Sequence, residues 1–164
     1  MIIGIDPGIT GAVAFLDEKE IKVVKCPFIR VSGKRLYDES KMVEIICLGV
    51  AKKKKIYAIV EKAQAMPKQG VSSMFNYGYG YGVWIGILSC LKIPFELVSP
   101  VKWKRDMLIG IPGSDKKGKS LVAVKRIFPK ISYDWIRKDH GLAEALLLAE
   151  WGRRRLKINF VGVK

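Results

Sequence analysis

The stretch that most constrains this chain is its beginning, Ile2-Ile3-Gly4-Ile5-Asp6-Pro7-Gly8-Ile9-Thr10-Gly11-Ala12-Val13-Ala14-Phe15. An apolar run ends on a carboxylate, Pro7-Gly8 forces a turn, and a second apolar run follows Gly11, which predicts a buried hairpin. Asp6 then stands at the end of a strand buried on both faces, where a charge is costly unless it meets a cation, a metal or several donors. The plain alternative is that Asp6 accepts hydrogen bonds from its own turn, Pro7 to Thr10. Taken alone, the stretch leaves the two readings level.

The rest of the chain has to decide between them. Its 164 residues suit one domain spanning 1–164, and 49% hydrophobic with 27% charged residues suits a folded core. No apolar run reaches the length of a membrane span, and a first strand at residue 2 leaves no room for a targeting peptide, so a cytoplasmic protein is expected. Cys26, Cys47 and Cys90 lie far apart in apolar contexts and are expected to be buried free thiols. Lys and Arg number 30 against 15 Asp and Glu, a net charge of +15, which points to a polyanionic partner, nucleic acid before a membrane surface. The cations gather at 52–55, 102–105, 116–119 and 153–155.

A third strand is expected at Ile21 to Cys26, making an antiparallel meander; residues 27–37 read as a loop, and a helix follows from Asp38, capped by Asp38 or Ser40. Ile56 to Val60 is again an apolar run of strand length ending on a carboxylate, Glu61. If this strand lies beside the first, Asp6 and Glu61 emerge at one edge and can share a cation; the alternative is a turn cap or a pair with Lys62. Val71 to Leu91 is apolar and aromatic, with Gly78, Gly82 and Gly86 four apart, and is expected to start as a loop and become helical near Val83. Tyr77 and Tyr81 fall on one face, placed to stack on bases or simply to pack. A strand over Ile93 to Val98, a short helix from Ser99, a loop from Ile109 to Gly118 and a helix from Lys119 to Phe128 follow. Gly113 to Ser120 matches a phosphate-loop spacing, but no strand leads into it, so no nucleotide cofactor is expected. The last helix, Asp139 to Leu156, carries His140 and Glu144 four apart on one face, with Asp139 as its cap.

This order resembles the ribonuclease H-like superfamily, and within it the RuvC-type Holliday junction resolvases. Gly4-Ile5-Asp6-Pro7-Gly8-Ile9-Thr10-Gly11 is similar to the opening motif of that family, Val60-Glu61 to its second acid, and His140-Gly141-Leu142-Ala143-Glu144-Ala145-Leu146-Leu147 to its closing acidic helix. Pro67-Lys68-Gln69-Gly70, Gly78-Tyr79-Gly80 with Trp84-Ile85-Gly86, Trp103-Lys104 and Lys138-Asp139-His140-Gly141 resemble stretches of phage-type and plant chloroplast members. Many relatives carry Asp where His140 stands, so this site holds one charge fewer, and His140 is open to a role as ligand or as positioner of the attacking water.

The resemblance implies an α/β fold, a mixed five-stranded sheet flanked by helices, and a catalytic and metal-binding set of Asp6, Glu61, His140 and Glu144. It implies two Mg²⁺ ions about 4 Å apart, with Mn²⁺ as a substitute, hydrolysing a phosphodiester to a 5′-phosphate and a 3′-hydroxyl. Four-way branched DNA is the implied substrate. Its contacts are expected from Lys68, Phe75, Tyr77, Tyr79, Tyr81, Lys102, Lys104, Arg105, Lys116, Lys117 and Lys119, with the loop from Lys62 to Tyr81 entering the junction. Paired cuts imply a homodimer, with Gly78 to Leu91, including Trp84 and Ile87, as its candidate interface. The alternatives are another ribonuclease H-like nuclease on branched DNA or hybrids, and a junction-binding protein that does not cut. An actin-like ATPase would need a second, related domain for which this chain is too short.

Overall fold

The fold was analysed in a computed structural model of the chain, which describes residues 1–18, 20–51, 53, 55–64, 70–112, 116–131 and 139–158. Five strands form one sheet in the order β3-β2-β1-β6-β7. These are β1 (Ile2–Asp6), β2 (Ala12–Leu16), β3 (Ile21–Lys25), β6 (Tyr57–Glu61) and β7 (Phe95–Val98). β1, β2 and β3 are the expected antiparallel meander, while β6 and β7 run parallel to β1. The mixed five-stranded sheet flanked by helices implied by the resemblance is the one observed.

Both faces of this sheet are covered, which is why β1 and β2 read as unbroken apolar runs. Ile2, Ala12, Ala14 and Ile59 face α5 (His140–Arg155) with Leu146, Leu147 and Trp151. Ile3, Ile5, Val13 and Val60 face α1 (Glu39–Val50) and α2 (Val71–Cys90) with Met42, Ile46, Trp84 and Leu88. Helix α5 lies directly on β1: a Cβ at Gly4 would meet the Ala145 carbonyl and the Ala149 amide nitrogen. This close approach brings the start of α5 over the strand end that carries Asp6.

Four expectations are corrected. Residues 27–37 are not a loop but a two-stranded ribbon, β4 (Phe28–Val31) and β5 (Lys34–Tyr37), joined through Ser32 and Gly33 at φ 48° and 78°. Both turn residues are left-handed, the signature of a tight hairpin whose twist matches its strands. Helix α2 is helical from Val71, because Gly80 fits against the Tyr37 ring and tertiary packing offsets the cost of its glycines. Trp84 and Ile87 are core residues, 0% and 8% exposed, so they cannot form a dimer interface; the open side of α2 is the one with Gly78, Gly82 and Gly86, where an added Cβ meets nothing within 4 Å. Cys26 alone is a buried thiol, Cys47 and Cys90 being exposed.

The remaining helices are α3 (Pro100–Leu108), capped by Ser99, and α4 (Lys116–Ile127), which starts three residues earlier than expected. Asp38 caps α1 by accepting from the Lys41 amide at 2.9 Å. Among the described residues no helix is long and apolar enough to cross a membrane.

Candidate active site

Three backbone features bring the predicted acids together. Ile5 pairs with Val60 in register, so Asp6 and Glu61 leave neighbouring parallel strands at the same edge. The turn between β1 and β2 closes with the Gly11 amide donating to the Gly8 carbonyl at 2.7 Å, and the Gly8 amide donates to Asp6 Oδ1 at 3.3 Å. Helix α5 then begins against this turn, with so little room that a Cβ at Gly141 would strike the Thr10 carbonyl. The result is an open cleft of about 410 Å³ lined by Asp6, Thr10, Lys25, Asp139, His140, Gly141 and Glu144.

The turn reading of Asp6 holds, since the Gly8 amide donates to it, and the charges of Glu61 and Glu144 also act on it. Burial, then the charges of Glu61 and Glu144, push its carboxyl up to about 7, against smaller opposing effects of the Gly8 amide and Lys104. Glu61 is buried, and that burial raises its carboxyl, while Lys104 and donated hydrogen bonds from Trp103 and Tyr77 work the other way. The Trp103 indole donates to Glu61 Oε2 at 2.7 Å. Lys104, the next residue, donates to both oxygens of Glu144 at 2.9 Å. Asp139 caps α5 by accepting from the Gly141 amide at 3.1 Å and pairs with Lys25 at the end of β3. His140 opens α5, and its Nδ1 is buried with no hydrogen-bond partner among the described residues.

The carboxylates of Asp6, Glu61 and Glu144 and the His140 Nδ1, which has no hydrogen-bond partner among the described residues, make a donor set of hard oxygens and one nitrogen, with Lys104 beside it. Its chemistry fits a divalent cation of the magnesium or manganese class, and the upward push on Asp6 marks negative charge that this lysine does not neutralise. Among the described residues no three His, Cys, Asp or Glu side chains close around one point. The hydrogen bonds account for that: Glu144 is turned to Lys104 and Glu61 to Trp103.

The expected nucleic-acid contacts divide into groups. Tyr77 is half-buried beside the Asp6 turn and bonded to Glu61, at the acidic cluster. Tyr81 packs against the core, Tyr79 donates to Glu39 Oε1 at 2.5 Å, and Phe75 is 74% exposed. Residues 71–81 are helix, which corrects the expected loop over that part. Lys104 lies in the site, Lys102 stands over the Trp151 ring, Arg105 pairs with Asp106, and Lys119 is half-buried on α4. Lys68 and the side chains of Lys116 and Lys117 lie outside the described residues. Sequence reasoning did not foresee that Trp103 and Tyr77 hold Glu61; the adjacency of Trp103 to Lys104 on one short helix was the available signal.

No protein-family model matches the chain. It is similar to the Holliday junction resolvase MOC1, chloroplastic, of Chlamydomonas reinhardtii, at 29% identity over 104 residues, which is 63% of this chain and 12% of that protein. The structure is similar to T. thermophilus RuvC in complex with Holliday junction substrate, with a TM-score of 0.68, 16% identity and coverage of 97% of this chain and 96% of that one. A second Thermus thermophilus RuvC structure gives a TM-score of 0.57 at 20% identity, over 95% and 96% of the two chains. The chain therefore has the ribonuclease H-like fold of RuvC over nearly its whole length.

Proposed function

We propose that this protein is a metal-dependent, structure-specific endonuclease that resolves four-way DNA junctions by paired symmetrical nicks. The observation that carries the reading is the convergence of Asp6 and Glu61, from adjacent strand ends, with His140 and Glu144 of α5 on a fold shared with RuvC. The net charge of +15 suits the polyanion such an enzyme must hold. A homodimer follows from the need for two identical cuts on opposed strands. The proposed setting is the cytoplasm of a bacterium or of a phage-infected cell; an organelle is the alternative, favoured by the chloroplastic relative.

Asp6, Glu61, Glu144 and His140 would hold divalent cations, and the expected complement is two Mg²⁺ with Mn²⁺ as substitute. When bound, such cations neutralise charge developing on the attacking and leaving oxygens of a phosphodiester. The chain's own residues do the rest. Trp103 and Tyr77 fix the Glu61 carboxylate by donating to it, so one acid is pre-oriented at no cost during reaction. Lys104 neutralises Glu144 until a phosphate arrives, and its ammonium then serves the phosphate while Glu144 turns inward. His140, at the opening of α5, would orient the water that attacks in line, leaving a 5′-phosphate and a 3′-hydroxyl.

The test is cleavage of an immobile four-way junction, with Mg²⁺ and with chelator, beside a linear duplex of the same sequence. Paired nicks that need the metal and spare the duplex are expected. Asp6→Asn should lower cleavage by at least about 100-fold, the usual scale for losing a charged group that acts on the reacting atoms, while junction binding persists. Normal cleavage by that variant, or tight binding by wild type with no nicking in either Mg²⁺ or Mn²⁺, removes the enzyme reading.

A further inference from the structure

The β4–β5 ribbon has no part in the cluster above, yet it springs from the same edge of the sheet. Asp6 pairs with Ala12 and Ala12 with Lys25, so β3 ends level with the acids, and the chain passes directly into the ribbon. Its root is fixed at three points. The Cys26 amide donates to the Gly11 carbonyl at 3.0 Å, the Asp38 amide to the Pro27 carbonyl at 3.2 Å, and the buried Tyr37 hydroxyl to the carbonyl of Pro7, the residue after Asp6, at 3.2 Å. Beyond this root the ribbon is exposed, and residues 27–37 hold three cations, Arg30, Lys34 and Arg35, with no carboxylate.

The cross-strand register sorts these residues. Ile29 faces Leu36 and Val31 faces Lys34 on one side; Phe28 faces Tyr37 and Arg30 faces Arg35 on the other. The arginine side is thus the side of Tyr37, which lies against the catalytic turn. Like charges directly opposite each other weaken a strand pair. Here both guanidiniums rest on the Phe28 ring, at 5.8 and 4.7 Å from its centroid, a contact that does not neutralise them. Two adjacent guanidiniums with no carboxylate partner among the described residues, on a ribbon rooted beside the acidic cluster, are placed to receive an anion between them. Arginine meets phosphate through two parallel N–H donors.

We propose that the β4–β5 ribbon is a clamp for a duplex arm of the substrate, with Arg30 and Arg35 gripping backbone phosphates next to the scissile strand. This rests on the nucleic-acid reading of the acidic site. A two-stranded ribbon is one of the elements that the DNA major groove admits. The apolar side of the same ribbon would alone suggest a protein partner, but the cationic side is the one continuous with the catalytic turn.

The experiment compares wild type, Arg30→Gln/Arg35→Gln and a charge-matched control, Lys22→Gln/Lys55→Gln, whose residues lie toward the opposite edge of the sheet. Fluorescence anisotropy in chelator, so that nothing is cut, follows binding of a labelled four-way junction and of a linear duplex across KCl concentrations. Losing two phosphate contacts should reduce the slope of log K against log salt by about 1.8 and weaken binding about tenfold or more near 0.15 M salt, with the control changed much less. Unchanged affinity and slope in the arginine variant, or equal losses in the control, overturn the clamp. So does a change of oligomeric state by sedimentation with DNA affinity intact, which would make the ribbon a contact between protein copies. Equal wild-type affinity for junction and duplex with the same arginine dependence keeps the clamp and removes the junction reading; no binding to either removes both.

Discussion

Asp6 carries the clearest physical signature in the molecule. Its carboxyl stands at about 7 in the folded chain against an ordinary 3.8, driven by burial and by Glu61 and Glu144. Between those values the folded protein holds a proton that the unfolded chain releases. Stability must therefore fall as pH rises from about 4 to about 7, and level off above, the loss being at most about 1.4 kcal/mol for each step of one in pH across that window. Glu61 is raised as well and acts in the same direction. Thermal melts in chelator at pH 5 and pH 8 should show a larger loss for wild type than for Asp6→Asn, which removes the ionisation while keeping the shape. Added Mg²⁺ should recover the wild-type loss at pH 8, because a cation competes with the proton for the same oxygens. Identical pH profiles for the two proteins would show that folding does not raise the Asp6 carboxyl. The residues around Asp6 were only partly legible. Glu61, His140 and Glu144 could be read because each sits at a strand end or one turn from another on a helix. Tyr77 looked like a base-stacking ring because nothing local says that the segment is helical and turns that hydroxyl toward Glu61.

At the scale of elements, the strands ending in acids were readable because their apolar runs are unbroken, as burial on both faces requires. The ribbon was not, because it buries neither exposed face, and its alternation of Ile29, Val31 and Leu36 with arginines is spread around a Ser32-Gly33 turn that looks like loop chemistry. In α2 the glycines argued against a helix, and only the fit of Gly80 on Tyr37, a contact 43 residues apart in sequence, reverses that argument. The packing of α5 on β1 sets the site and yields a prediction. In Gly4→Ala the added methyl must displace backbone of α5, since it meets Ala145 and Ala149 main-chain atoms and not a flexible side chain. Overpacking of this kind costs about 1–3 kcal/mol, and the helix that shifts carries His140 and Glu144. Junction cleavage should fall about tenfold or more at a temperature where the variant is still folded by circular dichroism, because small displacements of catalytic groups are expensive. Full activity in a folded Gly4→Ala protein would mean that α5 does not set the geometry of the site.

If the protein makes paired cuts as proposed, the whole molecule must present two opposed clefts. Two copies related by a two-fold axis do so if each presents the same surface to the other. On α2 one side is spent on the core through Trp84, Ile87 and Leu88, and the other leaves Gly78, Gly82 and Gly86 open with Phe75 and Tyr79 exposed nearby. Glycine within a helix is a local cost of about 0.5–1 kcal/mol relative to alanine, so three of them on an open face are unfavourable for an isolated chain. Another helix lying closely against that face would reverse the balance, since methyl groups there would hold the two backbones apart. The triple variant Gly78→Ala/Gly82→Ala/Gly86→Ala should therefore raise the melting temperature of the separated chain while shifting sedimentation from dimer toward monomer at micromolar concentration. Single nicks should then accumulate on the junction at the expense of paired ones, because each cleft keeps its chemistry but loses its partner. A triple variant that stays dimeric and still nicks in pairs would move the subunit contact off α2, and with it the two-fold axis about which the clefts are arranged.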